Sequence, residues 1–153
     1  MKRAVEHRIG VQAPAEIVWE VVSDFPSWEA WNPFHPRMEG ALRIGSTLTV
    51  DVAVPGQPVR TITPVVRDWV PYEQLHWQTS HKRGFVTAIR YLEIESLGAT
   101  SSTFSNGELF SGLLVRWISA QTRRGLREGF TVMGEAVRLR AEALWRDRQP
   151  DAI

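Results

Sequence analysis

The sequence predicts an α+β domain, in which one long C-terminal helix covers a curved antiparallel sheet of about seven strands. Three observations carry this prediction. Residues 37–111 run as short alternations of apolar and polar side chains broken by Gly and Pro, the period of half-buried strands. After Gly112 the period changes, and Leu126, Phe130, Met133, Val137, Ala141 and Leu144 recur at four- and three-residue steps, which defines one helical stripe. Two short helical patterns, one holding Ile17, Val18, Val21, Val22 and Phe25 and one holding Trp28 and Trp31, precede the strands.

The elements follow in order. Val5, His7, Ile9 and Val11 alternate with Glu6, Arg8 and Gly10, a strand with one buried face. Pro14 suits a first helical turn, and the helix after it ends near Asp24-Phe25-Pro26. Ser27 is placed to cap a second short helix, which Pro33 stops because the residue before a proline avoids helical dihedrals. A short strand is expected over 37–45, ending at Gly45, and a clear one at Leu48, Val50, Val52 and Val54. Pro55-Gly56-Gln57-Pro58 turns the chain. Val59–Val70 reads as one strand with an edge or bulge at Pro64, which cannot donate to a ladder. Gln74–Ser80, Phe85–Leu97 and Thr100–Ser111 are the remaining strands, the second joined to the third at Gly98 and to the first by the polar run His81-Lys82-Arg83-Gly84. The last helix runs from 115–121 to 147, with a kink expected near Gly125 or Gly129, and an arginine-rich outer face with i, i+4 partners such as Arg124–Glu128. An amphipathic sheet must be covered on one face; the long helix is the element available, and the first two helices are expected to close one end.

Composition narrows the function. The 153 residues fit a single domain, 1–153, and 43% hydrophobic residues supply one sizeable core. A net charge of +1 argues against a dedicated nucleic-acid binder. There is no cysteine, which excludes disulfides and cysteine zinc sites. No run reaches the roughly 18 apolar residues that a membrane span needs, and Met1–His7 lacks the apolar core of a signal peptide. A cytoplasmic protein, monomeric or homodimeric, with neither cofactor nor metal, is the expectation. The four histidines have no metal-ligand spacing, and there is no phosphate loop or Gly-x-Ser-x-Gly elbow.

Several phrases resemble a known superfamily: Pro14-Ala15-Glu16-Ile17-Val18-Trp19, Asp24-Phe25-Pro26-Ser27-Trp28, Trp31-Asn32-Pro33-Phe34, Pro71-Tyr72-Glu73-Gln74-Leu75-His76-Trp77 and Gly107-Glu108-Leu109-Phe110-Ser111-Gly112-Leu113-Leu114. In this order they resemble the START-like or SRPBCC superfamily of helix-grip domains, whose bacterial members are often described as polyketide cyclase/dehydrase proteins. The resemblance implies a deep cavity for a hydrophobic small molecule between sheet and helix. It implies no single activity, because the fold hosts carriers, cyclases and chaperone activators alike.

Within that frame Arg90 and Glu108 are the sharpest candidates. If Gly98-Ala99-Thr100 makes a three-residue hairpin loop, Arg90 lies opposite Glu108, Leu92 opposite Asn106 and Ile94 opposite Phe104. The apolar members mark that face as the inner one. The two charges are then expected to pair inside or at the rim of the cavity, as a polar anchor for a ligand or as a structural ion pair. Asn106-Gly107 is itself a hairpin signal, but a turn there would leave only a stub of strand. Trp31, Phe34, Trp77, Leu92, Phe104, Phe110, Phe130 and Met133 complete the expected ligand-binding set, since aromatic side chains line pockets as readily as they fill cores. His7 shares the inward parity of its strand, His35 is expected near the cavity entrance, and His76 is expected to face outward. Asn32 is expected to turn the backbone. The function expected is binding, with possible transport, of a small hydrophobic molecule such as a lipid, polyketide or aromatic compound, and Arg90→Ala is expected to weaken it without unfolding the protein. The alternatives are a cyclase or dehydratase using Glu108, the only catalytic nominee, and a non-catalytic interaction module.

Overall fold

The computed structural model describes residues 2–149, apart from the side chain of Lys82. Eight strands form two antiparallel sheets: β1 (Lys2–Val11), β2 (Met38–Glu39), β3 (Thr49–Val52), β4 (Arg60–Ile62), β5 (Val65–Val70), β6 (Gln74–His81), β7 (Val86–Ser96) and β8 (Ser102–Ser111). The larger sheet has the order β1-β8-β7-β6-β5 and the smaller β2-β3-β4. The helices are α1 (Ala15–Ser23), α2 (Trp28–Trp31) and α3 (Ala120–Arg148).

Pro64 divides what the alternation reads as a single strand. Lacking an N–H, it ends β4, and its carbonyl accepts from Leu48 N at 2.8 Å. The chain then crosses to the larger sheet. An isolated bridge, Thr47 with Val65, and the hydrogen bonds from Gly45 N to Val66 O and from Val66 N to Ser46 O tie the two sheets together. The backbone of 45–48 is spent on β5, so the strand expected over 37–45 shrinks to Met38–Glu39.

The β7–β8 hairpin has the register anticipated: Arg90 opposite Glu108, Leu92 opposite Asn106, Ile94 opposite Phe104. There is no turn at Asn106-Gly107. Gly107 stays in the strand because a Cβ there would run into Val5 O and the Tyr91 hydroxyl.

Ser119 caps α3, its Oγ accepting from Thr122 N at 3.0 Å. The helix buries Leu126, Phe130, Met133, Val137 and Ala141 against the sheet and continues unbroken through Gly125 and Gly129. These glycines serve close approach rather than a kink. A Cβ on Gly129 would enter the Phe34 ring, and one on Gly134 would lie 2.6 Å from His7 Nδ1. The outer face of α3 pairs Arg138 with Glu142 and Glu135. Arg124 and Glu128, both exposed, form no such pair, in keeping with the small gain available to a solvated ion pair.

Ser27 does not cap α2. Its hydroxyl donates to Asp24 O at 2.7 Å and accepts from Trp31 Nε1 at 3.0 Å. α1 packs across α3 and the far ends of β7 and β8, and Ser102 Oγ ties β8 to Ala13 O at 2.8 Å. Among the described residues no helix is long and apolar enough to cross a membrane.

In an exposed helix, Gly→Ala stabilises by up to about 1 kcal/mol. Gly129→Ala is expected to do the opposite, costing about 1–3 kcal/mol through overpacking against Phe34, measured as a lower midpoint in urea unfolding.

Candidate functional site

The middle of the interior is filled. Trp28, Phe34, Trp77, Leu92, Phe104, Phe130 and Met133 all have side chains under 2% exposed. Among them lies Arg90, itself 2% exposed. Its guanidinium donates from Nη1 to Gly107 O (3.0 Å) and Tyr91 O (3.2 Å), from Nη2 to Asn106 Oδ1 (2.9 Å) and Met133 Sδ (3.2 Å), and from Nε to His35 Nε2 (3.3 Å). Its carbon sits 4.4 Å from the Phe130 ring centroid, 5.7 Å from Phe34 and 5.8 Å from Trp77. The cation is held by neutral acceptors and aromatic faces.

The ion pair anticipated with Glu108 is not formed. Among the described residues no carboxylate approaches the Arg90 guanidinium within 4 Å. Directly opposed backbone positions do not oblige their side chains to meet: the guanidinium reaches into the aromatic cluster, while Glu108 turns toward a separate hollow. Burial lowers the Arg90 pKa to about 10, partly offset by the Glu108 charge, so the group remains a cation at neutral pH.

His35 is not at an entrance; it is 2% exposed. Asn32 puts it there. Its Oδ1 accepts from both Phe34 N (3.0 Å) and His35 N (2.9 Å), a local turn that drives the two rings inward. His35 Nδ1 lies 3.1 Å from Asp51 O and Nε2 receives Arg90, which assigns the proton to Nδ1. Burial, reinforced by Arg90, pushes its pKa well below the ordinary value. Asn106 completes the assembly by donating to Phe130 O at 3.0 Å, joining β8 to α3. Of the other histidines, His7 packs beside Gly134 with Nδ1 buried and unpartnered, and His76 pairs with Glu93 on the outer face.

A cavity of about 510 Å³ remains at one end of the grip, lined by Val54, Gln57, Arg60, His81, Val86, Glu108, Phe110, Ile118, Thr122 and Leu126. Of the residues singled out in the sequence, only Glu108 and Phe110 reach it. Arg90, Phe34, Trp77, Leu92, Phe104, Phe130 and Met133 belong to the packed interior, and Trp31 is half-buried, edge-on to Trp28 at 5.8 Å. Strand parity could have found Val86, which shares the inner face with Ala88 and Arg90, and the helical stripe could have found Leu126. No local signal marks Gln57 or Ile118, which arrive on loops.

Glu108 is the carboxylate of this cavity, beside the polar groups of Gln57, Arg60, His81 and Thr122. It makes no hydrogen bond or ion pair with another described side chain. Burial raises its pKa, against the opposing pull of Arg90 and Arg60. His81 Nε2 lies 3.1 Å from Thr79 Oγ1, and burial and Arg60 lower its pKa. A slightly larger hollow of about 570 Å³ at the seam of the two sheets shares Arg60 and His81, but exposed residues such as Thr63, Arg67 and Ser80 line it. Among the described residues no group of three His, Asp or Glu is placed to hold a metal.

Two outcomes follow for the packed interior. Arg90→Ala strands at least four acceptors at about 1–3 kcal/mol each, so it is expected to cost 3 kcal/mol or more in denaturant unfolding, and Arg90→Lys cannot replace the fork. Below pH 6.5, the ordinary value for histidine, the unfolded chain protonates His35 while the folded one resists. Stability should therefore fall as pH drops below 6.5 and through the lowered folded value, with a shallower acid limb in His35→Gln.

Comparison with known proteins supports the architecture. The structure aligns with the Zhui aromatase/cyclase from Streptomyces sp. R1128 at TM-score 0.74 and 21% identity, covering 100% of both chains. A START superfamily protein from Mycobacterium smegmatis aligns at 0.72 and 21%, covering 92% of this chain and 98% of that one. Norcoclaurine synthase from Thalictrum flavum, in complex with dopamine and hydroxybenzaldehyde, aligns at 0.70 and 12%, covering 99% and 90%. At these identities the likeness shows a common fold. No curated protein matches the sequence. The family model described as polyketide cyclase/dehydrase and lipid transport matches residues 2–143, so the chain belongs to that family.

Proposed function

We propose that this chain binds a small, largely apolar aromatic or polyketide-like molecule in the cavity at the open end of the grip. One observation carries the reading: the cavity, about 510 Å³, joins apolar walls from Val54, Val86, Phe110, Ile118 and Leu126 to the polar groups of Gln57, Arg60, His81, Thr122 and Glu108, and no described side chain pairs with Glu108. That volume lies within the roughly 300–1,000 Å³ of small-molecule sites. Apolar burial supplies affinity at about 25 cal/mol per Å² before ordering costs. Glu108 orients the guest by accepting a hydrogen bond from its hydroxyl or amine. Arg60 supplies a donor for a carbonyl or carboxylate.

A second reading draws on the same carboxyl. A carboxyl whose pKa burial raises above the ordinary range is better able to hold and donate a proton, as a cyclisation or dehydration of a polyketide-like substrate requires. The aromatase/cyclase among the structural relatives favours this branch.

A thermal-shift screen of aromatic compounds, polyketides and single-chain lipids tests the binding reading. A true ligand at 100 times its Kd stabilises the protein by about 2.7 kcal/mol. No shift across the panel, with nothing co-purifying in native mass spectrometry, would overturn it.

Glu108→Gln separates stability from binding. The folded carboxyl holds its proton above 4.5, where the unfolded one releases it, so unliganded stability should fall as pH rises above 4.5 and through the raised folded value. Glu108→Gln is expected to flatten that slope and raise stability at neutral pH, while weakening the ligand about tenfold. Loss of a pH-dependent turnover in the same variant would identify the enzymatic branch.

A further inference from the structure

The strand register gathers a basic and apolar tip at the cavity end of the molecule. Lys2 pairs with Ser111 and Arg3 with Phe110, while Thr87 pairs with Ser111 and His81 with Val86. The start of β1, the β6–β7 connection and the β8–α3 loop therefore meet at one end. Gly112 lets the two loops touch, since a Cβ there would enter Phe85 O, and Leu114 N donates to that same carbonyl at 3.3 Å. Three large apolar side chains project from them: Leu113 is 78% exposed, Trp117 63% and Phe85 49%. The Arg116 guanidinium lies 5.7 Å from the Trp117 ring.

The charge around this tip is one-sided. Residues 81–87 and 111–127 contain no Asp or Glu but hold Arg83, Arg116, Arg123, Arg124 and Arg127. At the opposite end, Glu6, Glu16, Glu73, Glu93 and Glu95 surround a polar hollow together with Arg8, which pairs with Glu95 at 2.9 Å. A net charge of +1 thus conceals a tip whose two loops are basic and free of carboxylates.

We propose that this tip docks peripherally on an anionic lipid bilayer, with Leu113, Trp117 and Phe85 in the interface and the arginines on lipid phosphates. The apolar residues sit on two touching loops among arginines and without a carboxylate in either segment, which suits insertion between anionic headgroups. Exposed Trp beside Arg is the combination that settles at a membrane interface. The basic tip is attracted to an anionic surface before contact. Ile118 and Leu126, between Trp117 and the core, line the cavity, so docking would bring its mouth to the lipid surface.

The test is cosedimentation of the full chain with vesicles of phosphatidylcholine alone and of phosphatidylcholine mixed with phosphatidylglycerol. Binding is expected only to the mixed vesicles, and less at high salt. Arg116→Ala should lose about fivefold in partitioning. The double variant Leu113→Ser, Trp117→Ala should lose tenfold or more, while its thermal unfolding stays that of the parent, since both side chains are exposed. Glu108→Gln, inside the cavity, should bind vesicles like the parent, which separates docking from ligand binding. Absence of binding to mixed vesicles would overturn the proposal and leave the tip as a surface for an acidic protein. So would binding that survives the double variant unchanged.

Discussion

The structure depends on how one buried cation is satisfied. Arg90 enters the space between sheet and helix without an opposing carboxylate. Its charge is met by backbone oxygens, an amide, a thioether, a neutral imidazole and three aromatic faces. Each partner comes from a different part of the chain: Phe34 and His35 from the segment after α2, Trp77 from β6, Asn106 and Gly107 from β8, Phe130 and Met133 from α3. A guanidinium offers five donors in a fixed fork, so satisfying them specifies how these elements sit together. His35 is drawn into the same constraint, since only its neutral form can accept from Arg90 while keeping Nδ1 on Asp51 O.

This constraint divides the interior into two regions with different tasks. Around Arg90 the space is closed by Trp28, Phe34, Trp77, Phe104 and Phe130, and the glycines of α3 let the helix approach closely enough to seal it. Toward the loops at 55–58, 81–85 and 112–119 the packing stops, and the cavity begins at Glu108. A half-buried carboxyl that no described side chain pairs with costs stability when ionised, and a cost of this kind at a pocket wall is common where binding or catalysis uses the group. The energetically awkward residue of the grip thus coincides with its open space.

The family fold accommodates both features. A curved sheet wrapped against a long helix encloses more volume than the helix side chains fill, and aromatic content decides how much stays open. Here Trp28, Phe34, Trp77, Phe104 and Phe130 close the inner part. In this chain the cavity's shape is therefore set by local side chains rather than by the fold alone.

The sequence by itself determined the elements and much of their pairing. Period-two and period-3.6 alternation report which face of each element is apolar, and turn residues set register, so Arg90 opposite Glu108 was legible from Gly98-Ala99-Thr100. Tertiary structure decided what no local pattern encodes. Pro64 breaks a run that alternation reads as continuous, because the strand's neighbours change there. Asn32 buries His35 through two hydrogen bonds that no spacing rule reports. Whether Arg90 meets Glu108 depends on side chains from four other elements competing for the guanidinium, and the aromatic cluster prevails. Cavity position is settled last, because it is the volume left over once residues distant in sequence have packed.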